Sequence, residues 1–75
     1  MHTYHYGRVD FRVERGRESA CLVATDGRQV FNLPNGKYTW ARNVPGFGVR
    51  RASNRLSDKE IVRQILGDAD VVFDE

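Results

Sequence analysis

The sequence is short of almost every feature that announces a specialised class. Its single cysteine, Cys21, excludes an internal disulfide. The neighbours Ala20, Leu22, Val23 and Ala24 mark it as a packed thiol, whereas reactive cysteines sit among basic groups. No apolar run approaches the roughly 18 residues that a membrane span requires. The N-terminal MHTYHYGR has no apolar signal segment, so the chain reads as cytoplasmic, with no membrane partner. Internal repeats and low-complexity tracts are missing. So are a Ser–His–Asp pattern and a carboxylate pair in an apolar setting, and the chain reads as non-enzymatic. His2 and His5 project to opposite sides of an extended segment and have no second ligand pair at metal-binding spacing. Neither a metal nor a cofactor is expected.

The most informative absence is of acid. From Pro34 to Arg55 there is no Asp or Glu, while Lys37, Arg42, Arg50, Arg51 and Arg55 give five positive charges. The last stretch, 57–75, is the reverse: Lys59 and Arg63 stand against Asp58, Glu60, Asp68, Asp70, Asp74 and Glu75. Such asymmetry suits an anionic partner for the middle of the chain, and equally an acidic tail that neutralises it.

What is present fits one small domain, residues 1–75. At 75 residues such a chain buries only about 60% of the surface its unfolded form exposes, so the core is thin. The first half reads as β. Val9, Phe11 and Val13 alternate with Asp10, Arg12 and Glu14, as in a half-buried strand. Tyr4 and Tyr6 fall on the opposite phase, and Gly7, between the two phases, suits a bulge that reverses the facing. Arg15-Gly16 reads as a turn that sets Phe11 opposite Ala20 and Val9 opposite Leu22. Ser19–Thr25 is a central strand. Asp26-Gly27 reads as a two-residue type I′ turn, setting Leu22 opposite Phe31 and Ala20 opposite Leu33.

The turn after Leu33 decides where the only tryptophan points. A Pro34-Asn35 type I turn with left-handed Gly36 suits all three residues and pairs Trp40 with Val30 and Tyr38 with Asn32. A two-residue Asn35-Gly36 loop instead pairs Trp40 with Phe31 on the core face. It would also place Pro34, which has no N–H, where a ladder donor is needed. Turn chemistry favours the first. Residues 43–54 read as a long loop, with Pro45-Gly46 and Gly48 as its flexible points. Within it, Arg50-Arg51-Ala52-Ser53 has the form of a basophilic kinase acceptor, at a length that chance explains.

The helix, about 57–66, is the best-specified element. Ser57 and Glu60 form a capping box, Leu56 and Ile61 a hydrophobic staple, and Gly67 a stop. Ile61, Val62, Ile65 and Leu66 make one apolar face, expected to pack on Phe11, Leu22 and Phe31. Residues 69–73 read as a short final strand. The expected fold is therefore α+β: an antiparallel meander of three to four strands, one helix on one face, and a short C-terminal strand.

For function, these features point to a small binding or regulatory protein. Nucleic acid, DNA or RNA, is the concrete ligand, met by Lys37, Tyr38, Trp40, Arg42, Arg50, Arg51 and Arg55. Arginines neutralise phosphates and aromatics stack on bases. The alternative is a protein-interaction module or a homodimer that uses an exposed sheet face or edge strand.

Overall fold

The computed structural model describes residues 3–67, together with the backbone of 71–74. Four strands form an antiparallel meander: β1 (Thr3–Tyr6), β2 (Val9–Arg15), β3 (Ser19–Ala24) and β4 (Gln29–Pro34). A separate two-stranded ribbon follows, β5 (Trp40–Val44) and β6 (Gly48–Ala52), and then one helix, α1 (Asp58–Leu66). The backbone of β7 (Val71–Asp74) runs antiparallel to β1. The expectation of a strand at 69–73 falls partly outside the described residues, and the fold is argued from the elements before it.

The core face is the one the alternation predicts. Phe11, Val13, Leu22, Phe31 and Leu33 are buried together with Ile61, Val62, Ile65 and Leu66 of α1. Burying each of these large side chains is worth about 1.5–3 kcal/mol, so this cluster dominates the stability of so small a domain. One half of the expected capping box forms: the backbone N–H of Glu60 donates to Ser57 Oγ at 3.2 Å, while the Glu60 carboxylate accepts from Arg63 at 3.3 Å; the N–H of Gly67 closes the far end on the Arg63 carbonyl at 2.9 Å.

Three turns differ from expectation, and each difference has a local cause. Gly7 does not lie in a bulge within one long strand. Gly7-Arg8 is a two-residue turn between β1 and β2, pairing Tyr6 with Val9 and Tyr4 with Phe11. The reversal of phase is thus a reversal of chain direction, and Tyr4 joins the core. The second turn lies at Arg17-Glu18, two residues beyond Arg15-Gly16, closed by the Gly16 N–H on the Ser19 carbonyl at 2.8 Å. Phe11 therefore faces Ala24 and Val13 faces Leu22. An even shift leaves each side chain on its expected face.

At the third turn, Asp26 does not take positive φ. The Gly27 N–H donates to the Ala24 carbonyl at 2.9 Å, and Gly27 alone takes the left-handed conformation, φ 100°. The resulting three-residue loop would shift the register, but an irregularity after Leu22 absorbs the extra residue. Leu22 still faces Phe31, and Ala20 still faces Leu33.

The largest correction concerns 37–54. The expected fourth strand does not pair with β4 in either register. Asn35 instead ties back to the β2–β3 turn, its backbone N–H donating to the Glu18 carbonyl at 2.9 Å and its amide to the Arg17 carbonyl at 2.5 Å. The chain then leaves the sheet, and residues 43–54 are no long loop. Val44-Pro45-Gly46-Phe47 is a turn, closed by the Phe47 N–H on the Val44 carbonyl at 2.8 Å. Proline in the second position and Gly46 with φ 87° in the third are what a type II turn requires. The turn makes a hairpin of Trp40–Ala52, which lies against α1 on the core side of the meander.

Candidate nucleic-acid interface

The ribbon sorts its side chains by parity. Trp40, Arg42 and Val44 point inward, opposite Ala52, Arg50 and Gly48. Val44 and Ala52 are fully buried, and Trp40 packs half-buried against the core. Ala41 and Asn43 point outward, opposite Arg51 and Val49, and all four are exposed. The period of two gives the ribbon one face turned toward the core, where Val44 and Ala52 are buried and Arg42 stays exposed, and one fully open face.

Each expected binding residue now has a place. Lys37 and Tyr38 are exposed in the segment entering the ribbon, with the Tyr38 ring centred 6.0 Å from that of Trp40. Arg42 and Arg50 form a direct cross-strand pair. The Arg42 guanidinium carbon lies 5.8 Å from the centre of the Phe31 ring, a cation–π contact. Arg50 is half-buried, and its Nη2 approaches Gly67 at the C-terminus of α1, where the helix dipole favours a cation. Arg51 projects from the open face, and Arg55 is exposed just beyond β6. Lys37, Tyr38 and Arg55 belong to the open end of the hairpin; Arg42, Arg50 and Arg51 belong to its body. Among the described residues, none of these five cations makes an ion pair. Asp68, Asp70 and Glu75, and the side chain of Asp74, lie outside the described residues, so the expectation of a neutralising tail does as well.

Two parts of the expected site change. Trp40, Tyr38 and Arg42 do not share the sheet face opposite the helix. That face carries its own balanced pairs: Arg12 holds Glu14 at 2.8 Å, and His5 meets Asp10. Arg12 and Glu14 stand across from Val23 and Cys21, which are buried beneath this layer. Burial pushes the Cys21 thiol pKa up, as expected for a packed cysteine. Trp40, for its part, packs half-buried against the core. Its indole Nε1 is shielded from solvent and finds no hydrogen-bond partner among the described residues; Arg50 Nε is in the same position.

Asn43 and Val49 were not anticipated. The cue was present in the alternation on both sides of Pro45-Gly46, but arginines at inward positions 42 and 50 hide it. Ser53 is buried and its Oγ accepts the Arg55 N–H at 3.1 Å, which disfavours the kinase-acceptor reading.

A cleft of about 340 Å³ opens between the hairpin tip and the end of the sheet, lined mainly by Tyr6, Val9, Val30, Val44, Phe47 and Leu66. Arg28 at its edge is already held by Asp26 at 2.8 Å. Among the described residues, no group of three or more His, Cys, Asp or Glu could hold a metal ion, and no helix is long and apolar enough to cross a membrane. Comparison of the chain with known protein families, with curated proteins and with solved structures finds no match.

Proposed function

We propose that this is a small non-enzymatic binding protein whose ligand is nucleic acid, held by the β5–β6 ribbon and its open end. One observation carries the reading: an acid-free hairpin sets Arg42 directly against Arg50, and no described carboxylate pairs with either. Like charges facing each other across strands are destabilising. A bound polyanion relieves that repulsion by placing a phosphate beside the exposed Arg42 guanidinium at the flank of the ribbon. Lys37, Arg51 and Arg55 extend the same positive surface, and Tyr38 supplies an exposed ring at its edge.

The test is a titration of the protein with mixed-sequence oligonucleotides at low salt, followed by amide resonances. Shifts should concentrate in residues 37–55. The logarithm of affinity should fall linearly with the logarithm of salt, with a slope near −0.9 for each phosphate neutralised on duplex DNA. Unmoved resonances across 37–55, or affinity flat with salt, sink the reading.

The rival is a self-association or protein-docking role. It is favoured by β4, whose outer edge pairs with no strand among the described residues. A mass measurement across concentration discriminates: a salt-insensitive dimer through β4 supports the rival.

A further inference from the structure

We propose that the outward face of the β5–β6 ribbon enters the major groove of double-stranded DNA, where Asn43 and Arg51 read base edges. The inference rests on the nucleic-acid reading above and narrows it to one ligand and one groove.

The first argument is shape. Among the described residues the ribbon has two strands and no third neighbour. Strands lie about 4.8 Å apart, so two of them with short side chains fit a major groove about 12 Å wide and not a minor groove about 6 Å wide. The outward side chains are small or reach toward bases: Ala41 beside Arg51, and Asn43 beside Val49. Ala41 and Asn43 keep the backbone of β5 free to approach the groove floor.

The second argument is chemistry. An Asn amide can bond in two places to adenine N6 and N7, and an Arg guanidinium to guanine O6 and N7. Val49 is 67% exposed on the same face, where its methyl groups suit contact with a thymine methyl group. Asn43 and Arg51 belong to cross-strand pairs two residues apart along the ribbon. At about 3.4 Å per residue that is roughly 7 Å, or two base-pair steps. Phosphate contacts fall to Lys37 and Arg55 at the open end and to Arg42 at the flank.

The third argument concerns the competing polymers. Single strands are held by aromatic rings on which successive bases stack. Here Trp40 and Phe47 pack partly buried against the core, and within 37–55 only Tyr38, 71% exposed, stands open to solvent. Duplex RNA has a deep, narrow major groove that side chains cannot read.

The experiment has two stages. Anisotropy at low salt compares duplex DNA, duplex RNA and single-stranded DNA of one length. Duplex DNA should bind about ten-fold more tightly than either. A randomised duplex DNA pool is then enriched on the protein and sequenced. It should acquire a fixed adenine and a fixed guanine about two steps apart. Asn43→Ala should relax the adenine and Arg51→Gln the guanine, each lowering affinity for the enriched site about ten-fold. Arg55→Gln should weaken all duplexes alike. Both readers are exposed, so the variants should keep the fold, checked by unchanged amide resonances in the meander and helix. Single strands binding as well as duplex DNA, with shifts centred on Tyr38, would overturn the groove and leave the nucleic-acid reading standing. Duplex binding with no enriched sequence overturns base readout. No binding to any polymer overturns both readings.

Discussion

Arg42 and Arg50 stand directly across from one another on the inner face of the β5–β6 ribbon, one over the ring of Phe31 and the other beside the end of α1. Positions two residues away on that face, Val44 and Ala52, are buried. The hairpin thus spends its central inward pair on two cations where two aliphatic residues would close the core.

That choice should cost stability. Facing like charges lose up to about 1 kcal/mol. The unpartnered Nε of Arg50 adds a desolvation cost of about 1–3 kcal/mol, against at most about 1 kcal/mol gained from the helix terminus. Arg50→Met keeps the stem and removes both penalties. It should raise stability to urea by about 1 kcal/mol while weakening nucleic-acid binding. Added salt should stabilise the native chain more than the variant. Lower stability of Arg50→Met would mean that the guanidinium anchors the ribbon.

Trp40 gives a direct readout of the hairpin's inner face. Its emission should be blue-shifted and resistant to a soluble quencher in the monomer. Trp40→Ala should cost about 2–3 kcal/mol, below a fully buried tryptophan because the ring is only partly buried. Trp40→Phe keeps a ring on the core and deletes the unpartnered N–H, so its cost should stay under about 1 kcal/mol. Red-shifted emission would place the ring in solvent and contradict the packing.

The pattern of what was legible follows from which constraints are local. The helix was readable to its ends, because Ser57 and Gly67 act within a few residues of their targets. The core face of β2, β3 and β4 was readable because period-two alternation survives any even slip. This is why a turn misplaced by two residues at Arg15-Gly16 left Phe11 and Val13 correctly facing inward. Trp40 was not readable. Both registers considered for it assumed that β5 pairs with β4, and neither Pro34 nor Gly36 reveals that Asn35 bonds back to the Arg17 and Glu18 carbonyls. That contact is long-range, and it turns the chain out of the sheet. β6 was hidden for a different reason: Arg50 occupies an inward position, so the apolar alternation that signals a strand is broken at its centre.

Arg15 should prove to be the clasp between sheet and helix. From the end of β2 it bonds the Asp58 carboxylate at 2.7 Å, the Leu56 carbonyl at 2.9 Å and the Asn54 carbonyl at 3.2 Å. The ion pair is partly exposed and alone is worth under about 1 kcal/mol, but the two carbonyls belong to the segment that leads into the helix cap. Arg15→Ala should cost about 1–2 kcal/mol, and Arg15→Lys most of that, because an ammonium cannot reach three acceptors in a planar fork. Hydrogen exchange should quicken first in the opening turn of α1. A change confined to the β2–β3 turn would show that the clasp is incidental.

Tyr4 should set the alkaline limit of stability. It is buried on β1 opposite Phe11, and its pKa is raised from the ordinary value, first by burial and second by the negative charge of Asp58. A folded pKa above the unfolded one means that the fold prefers the neutral phenol. The contribution is therefore complete below the unfolded value of about 10 and is lost as pH rises through and beyond it. Urea midpoints should hold between pH 7 and 9 and fall above pH 10. In Tyr4→Phe, which has no phenol to ionise, the alkaline fall should be shallower even if stability at pH 7 is lower. Ultraviolet titration of the native chain should show a tyrosine ionising above the ordinary value of about 10. An alkaline fall of equal steepness in Tyr4→Phe would assign the limit to another group.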